Sequence, residues 1–415
     1  MPHTEAPVVN RDVLISGASV AGPVLAWWLR HYGFRPTVVE RTPEHRRGTG
    51  GHAVDLFEPA VEVMDRMGLL AQVENARTRT DRITVERPGH RPADVDFGEV
   101  TSWISDARHV EIMRGELAGI LYEATRSDVE YRFGDSIRAV QQTRDGVDVE
   151  FEHHPPQRFD LVVGADGLHS GVRSLVFGPE QRFARHLGGY LAAFTLPNER
   201  ALSGRMVVYP SVDRLVGMYP VWQTGEARAV FLFRRAEPLR FDHRDVAEQK
   251  RLLRDEFAGM GWEVPAMLDA ADRAEDFYLD AICQIRMDSW SRGRVTLVGD
   301  AGYSPGPAVG GGTTLAVVGA YVLAQTLAEA RGHHDAAFAA YERAIAEYVE
   351  QSRELGPAVM RSIVPRSPTG VRMLAGFARI APRLPRWLLR RLIAAQAGPA
   401  RTMTTFALRE HQASG

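Results

Sequence analysis

The sequence predicts an α/β protein in which a Rossmann-like, doubly wound domain carries an inserted, mostly antiparallel β-sheet domain and ends in a C-terminal helical segment. Three observations predict it. The chain opens as strand, glycine-rich turn, helix and strand between Val13 and Glu40. Buried strands of the same type return at Asp160–Gly164 and Val295–Gly299, and between those two the texture changes to short alternating β runs separated by turn residues. A length of 415 residues agrees with more than one core, because single cores stop growing near ~250–300 residues.

Val13-Leu14-Ile15 is an apolar strand that enters Ser16-Gly17-Ala18-Ser19-Val20-Ala21-Gly22. The helical run Val24–Tyr32 follows, with Gly33 as its stop, and then the strand Pro36–Glu40. From Glu111 to Thr125, Ile112, Leu117, Ile120 and Leu121 recur at helical spacing and predict a helix. Tyr190–Leu196, Met206–Tyr209, Leu215–Tyr219 and Ala229–Phe233 predict the strands of the inserted sheet. Alternation puts Leu215 and Tyr219 on one face, Val216 and Met218 on the other, and Phe231 with Phe233 on a shared face. From Thr313 the chain is helical, with breaks expected at Gly332, Gly356 and Pro365–Pro368. This assigns 10–75, 101–180 and 283–345 to the first domain, 76–100 and 181–282 to the inserted substrate domain, and 346–415 to a helical brace. Because first-domain segments flank the insert, the two share a long boundary, and the cleft between them is the expected ligand site.

With 50 basic and 52 acidic side chains the net charge is −2, so no global field draws the chain to nucleic acid or an anionic membrane. Cys283 is the only cysteine, which excludes an intrachain disulfide and a thiolate metal cluster. Neither a leader-like N-terminus nor an apolar run of ~18 residues is present, and the cytoplasm is the expected location. From Arg361 to Gly415 ten arginines stand against one acid, Glu410, with Leu374, Phe377, Ile380, Trp387, Leu388 and Leu392 interspersed. The segment reads as a brace between domains, with no membrane partner. An acidic carrier protein bound through its arginines is the alternative.

Gly17-x-Ser19-x-x-Gly22 between strand and helix is a phosphate-binding turn, and Glu40 lies 18 residues beyond Gly22 at the end of the next strand. Gly17 permits the tight turn and Gly22 the close packing of helix on strand, while the helix start offers N–H groups to a pyrophosphate. A carboxylate at Glu40 accepts from ribose hydroxyls and disfavours a 2′-phosphate. A second motif, Asp160-Leu-Val-Val-Gly-Ala-Asp166-Gly167-Leu-His-Ser170-x-x-Arg173, and a third, Arg294-Val-Thr-Leu-Val-Gly299-Asp300-Ala-Gly followed by Pro305–Gly312, each deliver an aspartate into a glycine-rich turn.

With these three ordered motifs, Val13 to about Leu327 resembles the single-component flavoprotein monooxygenases of the para-hydroxybenzoate hydroxylase fold, most closely the tetracycline-inactivating and polyketide-tailoring members. The resemblance implies FAD, NADH or NADPH as reductant, O2 as co-substrate, and no metal. It implies that Gly17, Ser19, Gly22 and Glu40 hold the adenosine half, with Val20, Ala21 and Arg41 also binding the cofactor. Asp166 would sit near both FAD and the nicotinamide, while Gly299 and Asp300 meet the ribityl chain. Arg114 would approach FAD from the start of a helix. Arg46, Arg47, Gly51 and His52 would lie beside the isoalloxazine ring, with His52 the one candidate acid or base. Pro307, Val309, Gly310, Gly311 and Gly312 would place a helix N-terminus at the ring's pyrimidine edge, where reduction builds negative charge. The family often has glutamine where this chain has Gly311, a departure at that contact.

The implied reaction is hydroxylation or epoxidation of an electron-rich aromatic or polyketide-like small molecule through a flavin hydroperoxide. The candidate substrate residues are Met218, Tyr219, Phe231 and Phe233. A flavin-dependent reductase without oxygen transfer and a non-catalytic, ligand-sequestering flavoprotein are the alternatives. A flavin-dependent halogenase would need a lysine between flavin and substrate, and Lys250, the only lysine, lies in a polar helical stretch far from the glycine motifs.

Overall fold

The computed structural model describes residues 8–45, 51–96, 108–306, 311–385 and 406–408. The strand Asp12–Ser16 lies inside a six-stranded sheet in the order Ser291–Arg292, Val295–Leu297, Leu161–Gly164, Asp12–Ser16, Arg35–Glu40, Glu130–Phe133. All neighbours are parallel except the edge pair Ser291–Arg292 with Val295–Leu297. A parallel sheet is covered on both faces, which is why Val13, Leu14, Ile15, Leu161, Val162 and Val163 are all fully buried. The helix Ala21–His31 supplies the first crossover and packs beside the helix Gly312–Glu329. That second helix is apolar on nearly every side because it is enclosed.

The inserted sheet has seven strands, in the order Tyr278–Ile285, Ala184–Leu196, Glu226–Arg234, Arg214–Val221, Arg205–Ser211, Arg82–Val85, Ala93–Asp96. It is antiparallel apart from Arg205–Ser211 with Arg82–Val85. One face, with Phe194, Val216, Phe231 and Phe233, shares a core with residues of the helices Val246–Glu256 and Val264–Arg273. The other, with Leu191, Leu215, Leu232 and Ile282, packs with Val364, Ala375 and Ala378 of the chain's C-terminal part. A two-stranded ribbon, Ala53–Phe57 with His109–Met113, lies between the two large sheets, its Ala53 bonded to the inserted sheet at Tyr219 and its Phe57 to the helix Gly312–Glu329 at Thr314. A three-stranded antiparallel sheet of Ile137–Gln142, Val147–Phe151 and Gln157–Phe159 completes the β structure among the described residues.

The expected elements need correction at three places. The helix expected from Glu111 begins at Arg114, because His109–Met113 is a strand whose Val110 and Ile112 alternate inward. Periodicity over four residues cannot separate the two forms. No break occurs at Gly356, since one helix runs from His334 to Ile363. A single glycine costs a helix only ~1 kcal/mol relative to alanine, which flanking helix formers offset. The strand Tyr278–Ile285, which crosses the boundary expected at 282/283, is one unbroken edge of the seven-stranded sheet. Among the described residues, no helix is long and apolar enough to cross a membrane.

Candidate functional site

The turn after the first strand is held by contacts that only glycine allows. A Cβ on Gly22 would stand 1.9 Å from the Gly17 carbonyl oxygen, and one on Gly17 would stand 2.4 Å from the Ala165 oxygen. Gly17 also donates its N–H to the Val39 oxygen at 2.8 Å, so the first turn is locked to the second strand and to the Asp166 motif. Glu40 clamps the same turn: its Oε2 accepts from the Ala18 N–H and its Oε1 from the Thr42 N–H, each at 2.9 Å. Val20 and Ala21 are buried at the start of the helix, while Ser19 and Arg41 are exposed at the rim. No side chain caps this helix start.

The third motif folds onto the first. Gly299 has φ +67°, and a Cβ there would meet the Cβ atoms of Ala316 at 3.2 Å and Ala21 at 3.6 Å. The first turns of the helices Ala21–His31 and Gly312–Glu329 therefore converge on Gly299 and Asp300. The second helix starts from Gly311, at φ +78°, again with no side-chain cap. Asp300 has its carboxyl pKa raised by burial, with Ser304, Arg114 and Arg173 opposing. Asp166 is likewise raised by burial, although it accepts hydrogen bonds from Ser170 Oγ (2.5 Å) and the Val172 N–H (3.1 Å). Arg173, fully buried, ties the second and third motifs by donating to the oxygens of Leu168 (2.6 Å) and Ala301 (2.9 Å).

Arg114 heads its helix as an exposed cation, and a Cβ on Gly51 would lie 3.0 Å from its Nε. Its backbone N–H donates to the His52 oxygen at 3.3 Å. His52 has its pKa lowered to about 4 by burial, helped by the guanidiniums of Arg114 and Arg228 and opposed by Asp55. The ring is neutral at neutral pH. Pro307, Val309, Gly310, Arg46 and Arg47 lie outside the described residues.

The sheet side of the cleft differs from expectation. Met218, Phe231 and Phe233 do not face it: they are buried in the core shared with the helices Val246–Glu256 and Val264–Arg273, Phe231 edge-on to Phe257 at 4.8 Å. The register pairs Val216 with Phe231 and Met218 with Ala229, which sends all of them to the side away from Tyr219. Tyr219 alone of the four faces the first domain, its hydroxyl accepting from the Ala53 N–H at 2.9 Å. Sequence reasoning missed Arg228 and Tyr278. Arg228 pairs in register with Tyr219, is buried, and is ion-paired to Asp276 with its Nε unpartnered among the described residues. Tyr278 lies within electrostatic reach of Arg114 and Asp300. The pairing of the Tyr219 and Arg228 strands was the available signal for the first; for Tyr278 there was none.

Two uncapped helix starts, an exposed arginine and two carboxylates around one point suit a ligand with a diphosphate and several hydroxyl groups. The glycines at 17, 22 and 299 let the backbone segments and helix starts around that point pack closely on one another. FAD has this chemistry, so the residues present fit it. No group of histidine, cysteine or carboxylate side chains among the described residues could hold a metal ion.

Residues 10–360 match the family model described as FAD binding domain. An uncharacterised protein of Mycobacterium tuberculosis (strain ATCC 25618 / H37Rv) is 42% identical over 346 residues, 83% of this chain and 92% of its own length. A flavin-dependent monooxygenase of Legionella longbeachae serogroup 1 (strain NSW150) is 38% identical over 355 residues, 86% of this chain and 90% of its own. Among solved structures, the tetracycline destructase Tet(55) superposes with a TM-score of 0.82 at 34% identity, covering 98% of this chain and 100% of that one.

Proposed function

The chain belongs to the FAD binding domain family and is a flavin-dependent monooxygenase, and from that premise we propose that it hydroxylates or epoxidises an electron-rich aromatic or polyketide-like small molecule. Electrons come from NADH or NADPH and the inserted oxygen atom from O2. FAD, when bound, supplies the electron transfer and the oxygen activation. The protein binds, orients and shields.

The convergence of two uncapped helix starts on Gly299 and Asp300 carries the reading. The turn Gly17–Gly22 presents N–H groups to the diphosphate. Glu40, whose oxygens each keep a free lone pair beside their backbone donors, accepts from the ribose, and Asp300 accepts from the ribityl chain. Arg114 and the start of the helix Gly312–Glu329 favour negative charge on the ring, an effect of ~0.3–2 kcal/mol for a helix terminus and more where water is excluded. His52, neutral, and Tyr219, bonded to Ala53, wall the ring's side of the cleft without adding charge. Excluding water there directs the activated oxygen to substrate rather than to hydrogen peroxide.

The names of relatives, tetracycline destructase among them, support a polycyclic substrate rich in phenol and enol groups. The test is mass spectrometry under labelled O2 with such a polyketide and NADPH or NADH. A product heavier by one labelled atom is expected. Turnover of the substrate that consumes reductant but no O2 and forms no hydrogen peroxide would establish the reductase reading instead, and binding without reductant consumption the sequestering one.

A further inference from the structure

The second motif, Asp166-Gly167-Leu168-His169-Ser170, contains a histidine that the reaction above does not use. His169 Nδ1 faces both carboxylate oxygens of Glu180, at 3.0 and 3.1 Å, and its Nε2 faces Asp280 Oδ2 at 2.8 Å. Both ring nitrogens meet carboxylates, so both must donate and the ring is an imidazolium. Burial alone would lower its pKa, but Asp280 and Glu180 overcome that and raise it to about 10. Two further groups surround it: the His243 ring stacks on it at 4.3 Å, and Arg173 donates to Glu180 at 2.7 Å.

The two carboxylates belong to different halves of the molecule. Glu180 follows the helix Gly171–Val176 next to the six-stranded sheet, whereas Asp280 lies on the edge strand Tyr278–Ile285 of the seven-stranded one. His169 is thus a cation held between the halves. The Asp280 oxygen that it engages also accepts from the Tyr278 hydroxyl at 3.3 Å, and the other oxygen accepts from the Ala281 N–H at 2.7 Å. Asp280 is buried and cannot swing to water. Along the same strand face, Ile282 approaches Gly306, and Gln284 donates to the Pro305 oxygen at 3.2 Å, so this edge runs along the glycine-rich third motif.

We propose that Tyr278 is a further residue of the FAD site, oriented by a staple in which His169 bridges Glu180 and Asp280 and fixes the seven-stranded sheet against the Asp166 turn. The inference rests on the FAD reading. Tyr278 is half-buried on the same strand face as Asp280, Ile282 and Gln284, the face that runs along the third motif, and both Arg114 and Asp300, two residues assigned to FAD, act on its phenol electrostatically. Donation to Asp280 fixes the hydroxyl proton and leaves the phenol oxygen as an acceptor. His169 acts through Asp280 as a positioning residue.

A phenol beside an isoalloxazine ring quenches its fluorescence by electron transfer, and phenylalanine, harder to oxidise, does not. The experiment measures the emission of protein-bound FAD, and the FAD dissociation constant, in the unaltered protein, Tyr278→Phe, His169→Gln and the double variant. Tyr278→Phe is expected to brighten bound FAD several-fold with little change in affinity. His169→Gln should brighten it by a smaller factor and weaken FAD binding several-fold, because the seven-stranded sheet is then no longer fixed against the Asp166 turn. In the double variant the emission should match that of Tyr278→Phe, because the staple acts through the phenol. A merely structural staple would lower thermal stability and leave the emission of retained FAD unchanged. If His169→Gln does not fold, Tyr278→Phe, which removes one hydroxyl, decides alone. Unchanged emission in Tyr278→Phe overturns this inference while leaving the FAD reading intact. Failure of the unaltered protein to bind FAD overturns both.

Discussion

Asp300 owes its position to the residue before it. Gly299 turns the chain at a positive φ after the strand Val295–Leu297, and the carboxyl comes to rest under two helix starts. Asp300→Ala should keep the fold and lose most of the bound flavin, read as the ratio of visible to ultraviolet absorbance of the purified protein; full FAD retention would contradict the assignment. Two histidines respond to pH in opposite directions. His169, raised from 6.5 to about 10, contributes stability that is fully present below pH 6.5 and is lost as pH rises through 10. His52, lowered from 6.5 to about 4, contributes stability present above pH 6.5 and lost as pH falls through 4. Urea midpoints measured from pH 7 upward should therefore decline in the unaltered protein and decline less in His169→Gln. Phe231 is fully buried in the outer core of the inserted sheet, so Phe231→Ala should cost ~3–5 kcal/mol in urea unfolding while FAD affinity stays unchanged. A large change in FAD affinity would mean that its side chain does face the cleft.

At the scale of elements, the helix Gly312–Glu329 is the part most exposed to small changes. It begins at a left-handed Gly311, and its Gly319 leaves room for the Tyr303 hydroxyl, which would lie 2.0 Å from a Cβ there. Leucine at 311 would carry the left-handed backbone at ~1–2 kcal/mol and push bulk toward the ring's charged edge. Gly311→Leu should raise the hydrogen peroxide formed per NADH or NADPH consumed, or abolish oxygen transfer, by peroxide assay alongside product analysis. Peroxide yield and coupling equal to those of the unaltered protein would remove the helix start from the reaction. The ribbon Ala53–Phe57 with His109–Met113 was not legible in the sequence: the inward alternation of Val110 and Ile112 is too short to be told from the start of the following helix, and its pairing partner lies 54 residues away.

In the whole molecule, the chain end touches both halves. The helix Pro368–Ile380 lays Ala375 and Ala378 on the inserted sheet, and Phe406 returns to the first core with its ring 4.9 Å from that of Tyr348. A carboxylate placed at the buried Ala375 is taken out of water against the apolar face of the sheet, and that desolvation costs several kcal/mol even with Arg372 and Arg379 one turn away on the same helix. Ala375→Glu should lower the thermal midpoint by several degrees and release FAD at a correspondingly lower temperature, measured by flavin fluorescence during heating. An unchanged midpoint would mean that the helix does not brace the sheet.

The strand, the turn Gly17–Gly22, the helix and Glu40 could be read from residue order because their main requirements lie within one strand–turn–helix–strand unit: the approach of Gly22 to the Gly17 oxygen, the positive φ of Gly17, and a carboxylate at the end of the next strand that holds the Ala18 N–H. The same holds for the aspartates delivered at 166 and 300. Which way the inserted sheet faces could not be read. Alternation places Phe231 and Phe233 together but carries no information on what lies across that face, and only the packing of Val246–Glu256 and Val264–Arg273 sends them outward from the cleft. The staple is further still from local reading, since His169 and Asp280 are 111 residues apart and meet only when two sheets dock. Long-range hydrogen bonds depend on the relative placement of whole elements, so they come into being with the tertiary structure and leave no period in the sequence.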